Sequence, residues 1–473
     1  MSDIKKMCRN VVDLLLTYRG AWAFIFLCWV PVFLAAWPGV FAIDNVFQMK
    51  WYLEGTVSAH HPVLHTYLLG AILSAVERCF GTWEVGMCIF SLLQMAFLSA
   101  ILAFTVKVMG ERACGRISRL LALLFYALIP YNPVSAITST KDTIFAGLFL
   151  LAAVRTYQIV CDPETFFGSW KKIFQYVLLI FLMCAFRNTG IYIFLFIMPA
   201  FVIVCRRYWK EVLIIGMCAV AAWGIFTGPV YQLLNVQKGS SAEMLSVPIQ
   251  QLARAMVYAP EEFTEEQWDQ AAAYMPDHER YEPRVSDPVK DSFNVELFEK
   301  DAAMFLKLWV DIGIKCPGVY VEAFFDTNDG FWNPLKEYPD PRTYLPYIPY
   351  RSADQGAVGT SWEGQVLVEQ RSLIPLLDTF YEKMTETGGY NRIPGMRFVY
   401  NIAVAFWLIV ASIIVCIRKK AWNLSVPFFL LVGLWGTLML SPVVVFRYGY
   451  PLMISIPLVW AMCRTAGRER ENA

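Results

Sequence analysis

The sequence predicts an α-helical polytopic membrane protein of about ten transmembrane helices with a mainly helical extracytoplasmic domain. Three observations carry that prediction. Only 17% of the 473 residues are charged and 57% are hydrophobic. Soluble domains run at roughly 25% and 45–50%, so a water-facing surface of this size would lack its polar coat. Apolar runs of roughly 20 residues, enough to cross a ~30 Å hydrocarbon core, recur along the chain. Charge is also segregated: residues 231–395 hold 26 acidic and 14 basic residues, and the rest of the chain holds 13 and 26. The overall net charge of +1 hides that partition, and it gives no reason to expect nucleic acid as a partner. Aromatic residues at 15% exclude a disordered chain.

The apolar runs begin near Ala21, Glu84, Ile117, Thr143, Ile173, Gly190, Val212, Phe398, Asn423 and Tyr448. Met1–Arg19 is charged and leads into the first run without a small-residue cleavage site, so an uncleaved first span is expected. Lys and Arg mark cytoplasmic loops, and Lys5, Lys6, Arg9 and Arg19 place the N-terminus inside. The stretch Pro62–Phe80 decides the remaining topology. If it spans, the basic loop 107–119 faces outward. If it lies on the outer interface, that loop and the basic clusters at 155–172, 206–210, 418–420 and 464–470 fall on the inner side. Glu77, Arg78 and the neighbouring histidines suit the surface position. Both termini are then cytoplasmic, and three units follow. Residues 1–231 form a membrane module with a first outer loop at 38–81, 232–396 form the extracytoplasmic domain, and 397–473 form C-terminal membrane helices. Within the outer domain, 293–314 and 365–384 have amphipathic helical spacing. Between them lies a turn-rich, aromatic stretch with Pro339, Pro341, Pro346 and Pro349. Of the 12 cysteines, Cys28, Cys88, Cys184, Cys205, Cys218 and Cys416 sit in apolar runs, and no Cys-x-x-Cys occurs, which argues against a disulfide framework.

The first outer loop is the richest in chemistry. It holds Asp44, then His60, His61 and His65, three of the chain's 4 histidines. A carboxylate just past the first span could take a proton from a substrate hydroxyl. Imidazoles could bind phosphate when charged, bind metal when neutral, or polarise a reacting oxygen. A wet loop whose polar side chains simply face water has the same composition. His61 and His65 have the spacing of a helical metal pair, but no third ligand is local, and Asp44 or Asp142 would have to supply it through the fold. Lys141-Asp142 opens a span on the outer side, Arg187 interrupts the apolar sequence 173–204, and Arg447 stands at the outer end of the last span. Ionisable residues at membrane depth are functional candidates. An ammonium offers phosphate a point charge and a guanidinium offers it a fork. A snorkelling lysine beside its own counter-ion is the simpler alternative. In the outer domain, Gln250, Gln251 and Trp332 offer the amides and ring face that sugars use. Residues 326–330 resemble the opening of a calcium loop without its later ligands and read as a turn. Phosphate-loop, dinucleotide and nucleophile-elbow fingerprints do not occur.

This layout resembles the GT-C class of membrane glycosyltransferases, which place an essential acidic residue in the first outer loop. In protein O-mannosyltransferases and aminoarabinose transferases a His/Lys-Pro-Pro-Leu-like element follows and opens an interfacial helix. Here Asp44 stands at the acidic position and His61-Pro62-Val63-Leu64 at the later one, with Val63 for the second proline and Asn45 for a second acidic residue. Over most of its length the chain is also similar to a family of Gram-positive bacterial membrane proteins grouped with GT-C enzymes. The matching elements are, in order, the Asp44 loop, His60-His61-Pro62, Thr140-Lys141-Asp142, Phe186-Arg187-Asn188, Pro248-Ile249-Gln250-Gln251 and Asp329-Gly330-Phe331-Trp332.

The resemblance implies a GT-C-like fold and an inverting transfer of sugar from a polyprenyl-phosphate donor to a cell-envelope glycan, lipid or protein. The transfer would occur on the outer face of the bacterial cytoplasmic membrane. Asp44 and His61 would be catalytic, Asp44 as general base. His60, His65, Lys141, Asp142, Arg187, Arg447, Gln250, Gln251 and Trp332 would bind substrate or its phosphate. A divalent cation is left open as a cofactor, with no metal ligand assigned. The rival readings are a transporter or flippase of lipid-linked oligosaccharides, which predicts inverted repeats and polar residues near the midplane, and a non-catalytic envelope scaffold. A polysaccharide polymerase or ligase would share the lipid-linked substrate.

Overall fold

The computed structural model describes residues 2–112, 114–336, 348–353 and 368–471. Pro339, Pro341, Pro346 and the start of the run 365–384 lie outside the described residues. Among those residues the regular structure is helical, with only isolated β-bridges. In chain order the helices of the N-terminal part are α1 (Ser2–Leu15), α2 (Tyr18–Ala35), α3 (Ile43–Glu54), α4 (Val63–Phe80), α5 (Trp83–Arg112) and α6 (Arg116–Leu128). They are followed by α7 (Tyr131–Ile137), α8 (Lys141–Cys161), α9 (Pro163–Phe167), α10 (Trp170–Phe186), α11 (Gly190–Val204) and α12 (Trp209–Ile225). Ile402–Arg418, Ser425–Leu438, Phe446–Ile454 and Ile456–Glu471 close the chain.

Every apolar run of the sequence becomes a helix, but fewer than ten are long enough to span. Among the described residues five helices have the length and composition to cross a membrane: Tyr18–Ala35, Val63–Phe80, Trp83–Arg112, Lys141–Cys161 and the composite Arg206–Leu233. The pair α6 and α7, bent by 53°, makes a sixth if counted as one. The shortfall has local causes. Arg187 takes an extended conformation and separates α10 from α11, which has 15 residues, about 22 Å at 1.5 Å per residue. The last run breaks at Ser455. Val63–Phe80, expected on the membrane surface, also meets the length and composition of a span. Length alone therefore does not place it.

α8 is the centre of the membrane part. Phe145, Ala146, Leu148 and Val154, spread around the helix, are all buried, as expected of a helix that is apolar all round. It packs against α5, α10, Ser425–Leu438 and Phe446–Ile454. Leu430, Leu434, Tyr450 and Leu452 share one core with α2, α5 and α8, so the C-terminal helices complete the N-terminal module. The outer segment has a second core around Ile249, Leu252, Tyr274, Phe305 and Ile312.

One close approach fixes the first outer loop. Val40 donates its N–H to the Ile137 carbonyl at 2.9 Å, and Ser139 N–H donates to the Val40 carbonyl at 3.0 Å. Asn45 Nδ2 donates to the Ser139 carbonyl at 3.0 Å, and the Ser139 hydroxyl returns a bond to Asn45 Oδ1 at 3.1 Å. Gly39, at φ +118°, allows the chain to enter this staple, and a Cβ there would lie 2.1 Å from Ser91 Oγ. Gly39→Ala is expected to destabilise the fold by at least about 2 kcal/mol, combining backbone strain with overpacking. A thermal unfolding profile unchanged from wild type would show that the staple does not depend on this contact.

Candidate functional site

Four helix ends meet beside the staple. Asp44 lies in the first turn of α3, and Lys141 and Asp142 lie in the first turn of α8. Arg187 caps the end of α10, and Arg447 lies in the first turn of Phe446–Ile454. Carboxylates in a helix's first turn face its partial positive charge. Lys141 Nζ donates to Asp44 Oδ2 and to His61 Nδ1, each at 2.9 Å. Arg447 forks onto Asp44, Nη1 to Oδ2 at 2.9 Å and Nη2 to Oδ1 at 3.3 Å, and its Nε stands 3.5 Å from Asp142 Oδ2. Arg187 Nη1 donates to Asp142 Oδ1 at 3.0 Å. Both guanidinium groups lie against the Tyr448 ring, at 4.8 and 5.4 Å. The most exposed side chain of the five, Arg447, is only 23% accessible, so these are buried pairs whose partners cannot be removed cheaply.

The charge balance is uneven. Three cations face two carboxylates, and His61 accepts from an ammonium at Nδ1, which puts its proton on Nε2 and leaves it neutral. The cluster thus carries one excess positive charge. Burial alone would raise the Asp44 pKa, but the charges of Arg447 and Lys141 outweigh it and hold the carboxyl well below the usual range. Burial and then Lys141 hold the His61 imidazole well below its ordinary value, against the opposing pull of Asp44. Burial also lowers His60, partly offset by Glu243.

These directions set a pH dependence. His61 stays neutral in the fold but takes a proton on unfolding below about pH 6.5, so its contribution is full above that pH and declines as pH falls. Asp44 contributes in the same sense but at lower pH: its stabilisation is present above the ordinary carboxylate pKa and is lost as pH falls through its lowered value. Between pH 7 and 5 the His61 term is expected to lower unfolding free energy by up to about 1.4 kcal/mol per pH unit. His61→Gln should flatten the decline in unfolding temperature over that interval. Equal slopes in the two proteins would mean that the folded state protonates His61.

The remaining predicted residues divide. His61 joins the cluster, whereas His60 turns to the outer segment, where its Nδ1 lies 3.9 Å from Glu243 Oε1. Glu243 in turn pairs with Lys290 at 2.9 Å. His65 is buried in α4 with Nδ1 3.1 Å from the Gln48 amide, which also donates to Thr66 Oγ1. The expected His61–His65 helical pair does not form, because α4 begins at Val63 with Pro62 as its cap. Gln250 Nε2 donates to the Glu282 carbonyl, and Gln251 bridges the Tyr320 carbonyl and the Trp309 indole. The Trp332 ring lies 5.6 Å from that of Phe325, and its carbonyl accepts from Trp407 Nε1. Gln250 and Gln251 thus tie segments of the outer domain to one another, and Trp332 sits against the helix Ile402–Arg418. For a divalent cation the donors do not fit. Among the described residues no group of three or more His, Cys, Asp or Glu converges, and a cation at Asp44 and His61 would face Lys141 and Arg447.

Sequence reasoning missed Trp51, Tyr448 and the Glu243–Lys290 pair. The Trp51 ring lies 5.5 Å from that of His61 and 6.1 Å from that of His60. It follows Asp44 by two helical turns on the same face, a signal present in the sequence. No local pattern points to Glu243 or Lys290.

An apolar groove of about 270 Å³ runs between α4, α5, α8 and α10, lined among others by Leu68, Phe90, Phe97, Leu148, Leu182 and Phe186. Phe90 and Phe186 also contact the His65 ring, at 6.0 and 6.3 Å, and Phe186 immediately precedes Arg187. Through Phe186 and Ile144 the groove's lining comes within one residue of Arg187 and one helical turn of Lys141.

Neither a curated protein nor a solved structure matches this chain. Residues 49–473 do match a known family, and with them His60, His61, Lys141, Asp142, Arg187 and Arg447, while Asp44 precedes the matched region. By that match the chain belongs to DUF6020, a family of unknown function.

Proposed function

We propose that this protein is a membrane glycosyltransferase moving a sugar from a polyprenyl-phosphate donor to a cell-envelope acceptor. The observation that carries the reading is a buried cluster of Lys141, Arg187 and Arg447 with one charge in excess, beside an apolar groove lined by Phe186 and Ile144. A sugar–phosphate–polyprenol diester has one negative charge and a long apolar tail, so it complements both parts. The reading takes the fold as GT-C-like, with the shorter helices as further spans, α3 and α4 on the outer surface, and the cluster on the extracytoplasmic side of a bacterial cytoplasmic membrane.

In the structure both Asp44 oxygens accept from cations, which makes it a weak base. A phosphate entering the cluster competes for Lys141 and Arg447, releases Asp44 and restores its basicity. The acceptor O–H then gives its proton to Asp44 as its oxygen attacks the anomeric carbon. The bond from that carbon to the phosphate oxygen breaks on the opposite side, and its electron pair leaves with polyprenyl phosphate. Charge grows on the phosphate as this occurs, and Lys141, Arg187 and Arg447 stabilise it. Trp51 supplies a ring face beside His61 on which a sugar can stack.

The test is purified full-length protein with a panel of polyprenyl-phosphate sugars, following release of polyprenyl phosphate. Release with one donor, lost in Asp44→Ala, supports the reading. The groove also favours a second reading, a transporter of lipid-linked oligosaccharides. Movement of the donor across proteoliposomes without release of polyprenyl phosphate would establish that instead.

A further inference from the structure

A second cavity lies at the opposite end of α8. Its volume is about 410 Å³, and Arg112, Arg155, Lys172, Gln158, Gln175 and Asp162 form its polar wall. Arg155 is fourteen residues from Lys141, about 21 Å along the helix axis, so this cavity is separate from the Asp44 cluster. Arg155 Nη1 donates to Gln158 Oε1 at 3.0 Å, and its guanidinium lies 4.6 Å from the Phe104 ring. Lys172 Nζ donates to the Thr165 carbonyl at 2.9 Å. Among the described residues neither Arg155 nor Lys172 makes an ion pair, in contrast to every cation of the Asp44 cluster.

The cavity's other wall is apolar and lies one helical turn from the groove described above. Leu151 of α8 and Leu179 of α10 line the cavity. One turn further along the same two helices, Leu148 and Leu182 line the apolar groove. A basic recess whose apolar wall includes α8, a helix long and apolar enough to cross a membrane, fits a molecule with a phosphate head and a hydrocarbon tail. A water-soluble phosphate would use only the basic side chains and leave the apolar wall of Leu151 and Leu179 uncovered. We propose that this cavity binds the phosphate ester of an anionic membrane lipid through Arg155 and Lys172, with its chains laid along α8 and α10. The inference rests on the chain's membrane character and needs no transfer reaction, although the lipid's chains and the donor tail would meet at Leu148 and Leu182.

The experiment is native mass spectrometry of the full-length protein in mild detergent, offered phosphatidylglycerol and phosphatidylcholine in equal amounts, with glycerol phosphate as a separate competitor. Phosphatidylglycerol is expected to be retained in preference, and glycerol phosphate should not displace it. Each basic residue near an anionic lipid changes binding about fivefold, so R155Q/K172Q should lower retention about 25-fold. Lys171 lies outside the cavity, and K171Q should leave retention unchanged. D162N removes the one carboxylate of the recess while preserving the helix cap that Asp162 makes to Thr165 N–H, and should raise retention. This gain cannot come from a damaged fold. Equal retention of the two lipids, or undiminished phosphatidylglycerol on R155Q/K172Q, overturns the proposal. Displacement by glycerol phosphate overturns the lipid as the source of the phosphate.

Discussion

Asp44→Asn is expected to lower release of polyprenyl phosphate by roughly 10²–10⁴-fold, the range for losing a positioned general base. The same change removes the carboxylate that both Lys141 and Arg447 engage. Breaking a buried pair from one side costs about 3–5 kcal/mol, so a fall in unfolding temperature is also expected. The two effects separate in the kinetics. The neutral amide would no longer compete with the donor phosphate for Lys141 and Arg447, so the apparent KM for the donor should fall while kcat collapses. A carboxylate that served only as a structural counter-ion would give no such split. Asp44→Asn with full transfer at matched protein level would remove Asp44 from the mechanism.

The cluster was legible because charge inside apolar sequence is unfavourable and therefore has a cause. That rule singled out Lys141, Asp142, Arg187 and Arg447, Asp44 stood out as a carboxylate just past the first span, and all five meet. Their pairing was not legible: Lys141 lies 97 residues from Asp44, and Arg447 lies 403 residues away. Only the packing of α8 against Phe446–Ile454 and the staple at Val40 bring them together. His60 and His61 show the limit of reading by residue type, because adjacent imidazoles point to different partners chosen by Lys141 and Glu243. His65 was misplaced by a helix start two residues later than His61 required. The backbone contacts of Gln250 and Gln251 were not legible, because an amide that binds a sugar and an amide that ties helices to backbone carbonyls look alike in sequence. Ten spans were expected where five or six helices have the full length, because hydropathy registers apolar composition but not the extended Arg187 or the break at Ser455 that shortens the helices around it.

Arg447 carries the second large effect, because one guanidinium spans both carboxylates of the cluster. Arg447→Gln should reduce transfer by about 10²–10³-fold, the cost of losing one preorganised group at a developing anion. It should also destabilise the fold by about 3–5 kcal/mol, since it removes a fork from Asp44 and leaves Asp142 to Arg187 alone. Arg447→Lys keeps the charge but not the fork, and a point charge cannot serve both carboxylates at once, so its activity should fall between those of Gln and wild type. The decisive variant is Asp44→Asn combined with Arg447→Gln. It removes one charge of each sign and leaves Lys141 and Arg187 facing Asp142, with the same single excess positive charge. The double variant should therefore be more stable than the sum of the single losses, by a coupling of about 0.5–3 kcal/mol. Transfer should not recover with it, because the proton acceptor and a phosphate ligand are both gone. Additive stability losses would mean that the pair does not interact in solution. Recovery of transfer alongside stability would mean that the cluster only holds the fold, and that the chemistry belongs elsewhere in the molecule.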